Sequence, residues 1–382
     1  MDSTQGFDPI LASLETQRKS LKVQTSEEIY RNFSAYEGVP LDSLTLSVDS
    51  NLDWSLRALE RGYAPTAEEM DSAEEVTSLR FEQGVSFGEV ILAFRVSIRR
   101  IHEAYVVLGA QVLPRSLFAS GSRILWQVGD AFLLRSATTF HELEISKAQR
   151  DAEERAHSLR AVLSGAFDEE DLERVGFNKA QRYAVVRMYG DGNASALRRI
   201  IGASAGRSSV GEFGAERFPV LVDGSECVGV IPEAAEPLPE CSLAIGSLVE
   251  VQRLCESNAI AKKVMDVKDA FGIDSNLDVE AAGWRLAFLE TKELASLYRP
   301  VFVEPVISKS RNAIEILETV SVWLRNSMNY AVSAQILHLH SNTVRYRVDK
   351  FTNLTGFQAA HFDSVFGALW AIQAELVELR HS

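Results

Sequence analysis

A short run near the C-terminus gathers His340, Ser341, Asn342, Thr343, Arg345, Tyr346, Arg347 and Lys350. These side chains are equipped to read nucleic acid. Arg makes bidentate contacts to guanine O6 and N7, Asn does the same to adenine N6 and N7, and a Thr methyl or a Tyr ring meets thymine or phosphate. A helix N-terminus under them adds a positive dipole toward phosphate oxygens. Ser341, Asn342, Thr343, Arg345, Tyr346, Arg347 and Lys350 are therefore the expected DNA-contacting set, with His340 capping or orienting the turn before them. For Tyr346 two readings stay open, packing on its own domain or on DNA. His338 and His340 form an H-x-H pair, but no third ligand lies at helical or hairpin distance. Neither a metal nor a cofactor is expected.

The elements that must position this set are helices. Leu317, Val320 and Leu324 share one face of a helix expected over 314–325, and Asn326 to Asn329 breaks it. A short helix over Tyr330 to Leu337 follows, with the small Ala334 permitting close packing. The turn His338-Leu339-His340 leads to Ser341, the candidate N-cap of a third helix. In that helix Val344, Val348 and Phe351 recur at i, i+4 and i+7 and face a core, while Arg345, Arg347 and Lys350 lie off the stripe. Helix, short helix, turn, helix, with polar and basic residues at the start of the last, is the arrangement that enters a major groove.

Upstream the chain changes character twice. Residues 1–135 read as helical, with Val90, Phe94, Ser97, Ile101 and Tyr105 on one face of a long helix. Gly84 stops the preceding helix, and Ser86 with Glu89 forms a capping-box pattern. Arg95, Arg99 and Arg100 fall on other faces and read as a solvated or salt-bridged surface. From Leu134 to Leu163 there is no Gly or Pro, which predicts one continuous helix, a connector over 136–165. Its heptad-like start at Phe140 and Leu143 is interrupted by Lys147 and Arg150, so no sustained coiled coil is expected.

After Gly165 short β-rich runs appear at Tyr183–Tyr189, Phe218–Val222, Glu226–Ile231 and Ser242–Ile245. Asp223-Gly224 between two of them signals a hairpin. Helices are expected over about Ser195–Ala203 and Leu248–Phe271. The predicted fold class is multidomain and mainly α: an N-terminal helical bundle (1–135), a connector helix (136–165), a central small α+β domain (166–305) and a C-terminal all-α helix-turn-helix domain (306–382).

Catalytic signatures are missing from the sequence. It contains no G-x-S-x-G elbow, no H-E-x-x-H and no G-x-x-x-x-G-K-[ST] loop. Cys227, Cys241 and Cys255 lack a C-x-x-C spacing and read as three buried thiols rather than a disulfide or zinc framework.

Ala334-Gln-Ile-Leu-His-Leu-His-Ser-Asn-Thr-Val-Arg-Tyr-Arg347, with Leu354-Thr-Gly356 after it, resembles the C-terminal helix-turn-helix of the PucR/CdaR family of bacterial transcription regulators. That family carries an Ala–Leu pair, then H-x-N-T-x-x-Y-R, then an L-T-G that closes the recognition helix. His340, Asn342, Thr343, Tyr346 and Arg347 match position by position. The middle region resembles the degenerate GGDEF-like domain of many such regulators, and the stretch from Gly84 to Arg95 resembles the helical N-terminal domain of RsbR-type stress regulators. Active GGDEF domains need a Gly-Gly-acidic-acidic-Phe turn. Gly190-Asp-Gly192 lacks that pattern and Glu212-Phe213 has only a single Gly before it, so no enzyme activity is expected.

The resemblance implies a sequence-specific, effector-responsive regulator with operator DNA as partner, a small-molecule effector, and a homodimer or higher homo-oligomer. A stress-signalling interaction scaffold without DNA binding is the alternative. A cytoplasmic location and no membrane partner are expected, since no apolar run reaches the ~18–20 residues of a spanning helix and the N-terminus has no basic region ahead of an apolar run. The chain has 39 Lys and Arg against 53 Asp and Glu, a net charge of −14. Residues 309–355 hold six of those basic residues and three of the acidic ones, a local +3 that leaves −17 elsewhere. This balance excludes a general DNA coater. It suits an acidic body carrying one mildly basic reading head.

Overall fold

The computed structural model describes residues 6–189, 195, 197–199, 219–233 and 242–381. Among them the chain is mainly helical, with a small antiparallel sheet in its middle and helices again at its C-terminal end. It divides into two compact units, Met1–Asp151 and Ala152–Ser382.

In the first unit, α1 (Asp8–Asn32), α2 (Leu41–Arg61), α3 (Asp71–Glu82), α4 (Phe87–Val112) and the beginning of α5 (Arg115–Ser164) surround an apolar core. Helix α4 starts where the sequence predicts: Ser86 and Glu89 form a reciprocal capping box. Val90, Phe94, Ser97, Ile101 and Tyr105 are all buried, and Phe94 stacks on Phe132 of α5 at 3.6 Å between ring centroids. Arg99 and Arg100 both pair with Glu28 of α1, so that face is salt-bridged. Beneath α2 lies a buried guanidinium, that of Arg80, 1% exposed. It donates to the Ser43 hydroxyl at 2.9 Å, the Ser43 carbonyl at 3.1 Å, Ser47 at 2.8 Å and Gln83 at 2.7 Å. Neutral acceptors thus hold α3 to α2 through a charge that Arg cannot shed.

Helix α5 is longer than the sequence suggests, beginning at Arg115 rather than near Leu134. Gly121 and Gly129 lie inside it, and burial of Ile124, Leu125, Val128 and Phe132 outweighs their weak helix propensity. The division between the units falls within this helix.

In the second unit the last turns of α5 and α6 (Glu169–Val175) pack on a five-stranded sheet. Strand β1 (Arg182–Tyr189) lies at its centre, antiparallel to β3 (Glu226–Pro232), β4 (Ala244–Ile245) and β5 (Val249–Glu250), and β2 (Leu221–Asp223) borders β3. The hairpin register pairs Asp223 with Glu226, so Gly224 and Ser225 are the turn pair, one position later than the Asp-Gly signal. Gly224 has φ +60°, which the Cβ-free residue accepts at the first turn position. Strand β5 and a 3₁₀ turn over Val251–Arg253 occupy the start of the expected 248–271 helix, so α7 begins only at Leu254 and ends at Phe271. Ser257 on α7 accepts from the Val185 amide at 2.9 Å, docking that helix on β1. Gly246 is required there: a Cβ would meet the Ser257 carbonyl oxygen at 2.2 Å.

Ser195 and residues 197–199 are helical. The rest of the expected 195–203 helix lies outside the described residues, as do Gly190-Asp-Gly192, Glu212-Phe213, Phe218 and Cys241. Cys227 is buried, but Cys255 is only half-buried, which corrects the expectation of uniformly buried thiols.

Helices α8 (Val279–Ala282), α9 (Trp284–Glu290), α10 (Leu294–Phe302) and α11 (Glu304–Lys309) lead to α12 (Ala313–Arg325), α13 (Tyr330–Ile336), α14 (Ser341–Thr355) and α15 (Phe362–His381). Phe271 of α7, Trp284 and Phe288 of α9, and Trp370 of α15 form a run of tilted and edge-on aromatic contacts. No helix among the described residues is long and apolar enough to cross a membrane.

Candidate nucleic-acid interface

Helices α12, α13 and α14 enclose an apolar core that includes Ile316, Leu317, Val320, Trp323, Ala334, Val344, Val348 and Phe351. Leu324, read as a core position, is only partly buried at the edge. Between α12 and α13, Ser327 and Met328 take left-handed backbone angles, φ +53° and +58°. This double reversal brings Asn329 into position to cap α13, its side-chain oxygen accepting from the Ala331 and Val332 amides at 2.9 and 3.1 Å. Ala334 is 7% exposed, and its carbonyl accepts from the Leu339 amide at 2.9 Å, closing the turn into α14. His338 provides the left-handed residue of that turn, φ +54°.

The N-cap of α14 is His340, one residue before the Ser341 proposed by sequence. His340 Nδ1 accepts from the Asn342 amide at 3.2 Å, and Ser341 begins the helix. An imidazole nitrogen here does the work of the usual cap oxygen. At the other end Gly356 has φ +69°, and its amide donates to the Thr352 carbonyl at 2.9 Å. Phe357 then turns inward to meet Trp323 edge-on and Phe351 at a tilt. The Leu354-Thr-Gly356 segment therefore closes the helix by a left-handed cap followed by an apolar anchor.

On α14, Val344, Val348 and Phe351 are buried, and the opposite face is open. Ser341, Asn342, Arg345 and Tyr346 are exposed, Tyr346 at 61%. Thr343 is half-buried at the edge of the core. The Arg345 guanidinium lies over the Tyr330 ring, 5.1 Å from its centroid, a cation–π contact made by a residue that stays exposed. Arg347 is placed differently. It donates to Thr319 at 3.1 Å and pairs with Glu315, both on α12, and its side chain is only 16% exposed. Lys350 reaches Asn312 just ahead of α12 at 3.4 Å and is half-buried. The expected set thus separates into an outward group (Ser341, Asn342, Arg345, Tyr346), one edge residue (Thr343) and two residues tied to the scaffold (Arg347, Lys350). Sequence reasoning missed Asn329, Glu315, Thr319 and Tyr330. An Asn ahead of a helix is a legible cap signal; the other three act across helices, and no local pattern reveals them.

A helix, a tight turn and a second helix with an open polar and basic N-terminal face define a DNA-binding helix-turn-helix domain. Residues 316–374 match the PucR C-terminal helix-turn-helix domain, and residues 23–155 match the RsbT co-antagonist protein RsbRD N-terminal domain. The chain accordingly carries a PucR-type helix-turn-helix of the transcription-regulator class behind an RsbRD-type N-terminal domain. Both matched families are regulatory rather than catalytic. No curated protein matches the chain in sequence. A crystal structure of a regulator of polyketide synthase expression from Bifidobacterium adolescentis is similar over 60% of this chain and 93% of its own, at 15% identity and a TM-score of 0.27, too loose a likeness to place any element.

Proposed function

We propose that the protein is an effector-responsive, sequence-specific transcription regulator that acts as a cytoplasmic homodimer and docks α14 in the major groove of its operator. The observation that carries this reading is the two-faced character of α14. Three apolar residues lock it to α12, while Ser341, Asn342, Arg345 and Tyr346 stand exposed at its N-terminal end. Arg345 and Asn342 read base edges, and Ser341, Thr343 and Tyr346 meet phosphate or thymine. Lys350 reaches phosphate by releasing its long bond to Asn312. Arg347 contributes chiefly by setting the angle at which α14 leaves α12, a positioning task. One helix-turn-helix makes few contacts, so two copies on half-sites ~34–36 Å apart supply the affinity.

In this reading 1–135 forms the sensory or interaction domain, 136–165 the connector, 166–305 a degenerate GGDEF-like domain without cyclase activity, and 306–382 the DNA-binding domain. The testing experiment is a gel shift on DNA upstream of the gene and its neighbours, with sedimentation to count protomers. Wild type should shift a discrete fragment as a dimer. Folded Arg345→Ala protein should lose discrimination of ~1–3 kcal/mol between cognate and mutated sites. Absence of any shift at low salt, with or without candidate metabolites, rejects the proposal. It would favour the second reading, an interaction scaffold in stress signalling, which the RsbRD match over 23–155 supports by itself.

A further inference from the structure

A cleft of about 740 Å³ opens within the second unit, between α7 of the sheet region and α9, α10 and α15 beside the helix-turn-helix. That volume falls in the range of small-molecule sites, ~300–1,000 Å³. Its apolar wall includes Phe288, Leu289, Ala371 and Val377. Its polar groups are five carboxylates (Asp266, Asp269, Glu293, Glu375, Glu378) and two cations (Lys292, Arg299), a balance of −3. Arg299 is already committed, donating to Glu375 at 3.0 Å and to Glu304 at 3.1 Å. Asp269 accepts from the Tyr189 hydroxyl at 2.6 Å, a neutral partner that orients the carboxylate without discharging it. Among the described residues, no ion pair reaches Asp266, Asp269, Glu293 or Glu378. Partial burial raises the Asp266 carboxyl pKa, and Asp269 and Glu226 raise it further against the pull of Lys262 and Arg187. Asp266, Asp269, Glu293 and Glu378 are exposed, so their charge is open to a ligand rather than spent on a cation of the protein.

Three ligand classes compete for such a site. Anions are repelled. A bare metal ion needs converging ligands, and no group of three or more acidic, His or Cys residues among the described residues comes together to hold one. An organic cation satisfies both halves of the cleft, its hydrocarbon covering the half-buried Leu289 and Val377 and its ammonium facing the acids.

We propose that this cleft binds an aliphatic amine, with Asp266 and Asp269 of α7 and Glu378 of α15 receiving its ammonium groups over the apolar wall. The site deepens the effector-responsive reading above, because a ligand touching both α7 and α15 links the sheet region to a helix that packs against α12 through Gln373 and Ser321. Binding itself does not depend on that reading.

The test is titration calorimetry on the full chain with cadaverine and spermidine, and with pentanediol and magnesium as controls. Both amines should bind, and the diol, which has the same apolar body without charge, should not. Asp266→Asn/Asp269→Asn and Glu378→Gln proteins should each bind ~10-fold or more weakly. Neutralising two exposed carboxylates on α5, Glu142→Gln/Glu144→Gln, should leave affinity unchanged, and melting curves confirm that every variant is folded. Amines that release no heat, magnesium competing at equal concentration, or undiminished binding in the cleft variants would each overturn the proposal. A gel shift in parallel keeps the two readings apart: intact operator binding without amine binding sinks the cleft alone, and amine binding without operator binding sinks the regulator alone.

Discussion

Two arginines two positions apart on α14 have different surroundings. Arg345 rests on the Tyr330 ring and is exposed; Arg347 is locked between Thr319 and Glu315. Their alanine variants should separate cleanly. Arg345→Ala should leave the melting temperature within error and flatten base preference. Arg347→Ala should lower stability by about 0.5–1 kcal/mol, a modest loss because Glu315 is 55% exposed, and weaken all DNA sequences alike. Thermal melts paired with binding to cognate and scrambled sites distinguish these outcomes. The Arg80 case is more severe. Removing that guanidinium empties a buried site beneath α2 and takes a donor from the buried Ser47 and from the half-buried Ser43 and Gln83. Arg80→Ala should cost on the order of 3 kcal/mol, read as a large downward shift in the urea midpoint.

Among elements, those whose signals are local were legible in the sequence. The capping box of α4, the apolar stripes of α4 and α14, strands β1 and β3, and the Leu354-Thr-Gly356 stop all sit within a few residues of where patterning places them. Elements fixed by distant partners were not legible. Strand β5 exists because Val249 and Glu250 pair with Tyr183 and Arg182, far away in sequence, which delays α7 by several residues. Likewise, the partners of Arg347, Glu315 and Thr319, lie on another helix, so no local pattern shows that its guanidinium is tied to α12. The closing glycine offers an element-scale check. A Cβ at Gly356 would meet nothing within 4 Å, so its φ of +69° alone sets the cost of substitution. Gly356→Ala should therefore destabilise the C-terminal helices by about 1 kcal/mol with no steric contribution, measurable by denaturant titration.

For the whole molecule, charge is the relevant quantity. With −17 outside residues 309–355 and +3 within them, the proposed reading confines DNA binding to a few phosphates near α14. The logarithmic salt dependence of affinity should accordingly be shallow, and Lys350→Ala should reduce its slope by about one. Identical slopes for wild type and variant would remove Lys350 from the phosphate contacts.

The 50 residues of α5 belong to both units. Its first turns are anchored in one core and its last in another, yet every residue from Ala148 to Glu154 is exposed. A helical stretch with no buried residue is only marginally stable in water, so this segment should open locally while both cores stay folded. Brief trypsin treatment should cut first at Lys147, Arg150 or Arg155, and backbone amides there should exchange for deuterium well ahead of those near Phe132 or Val162.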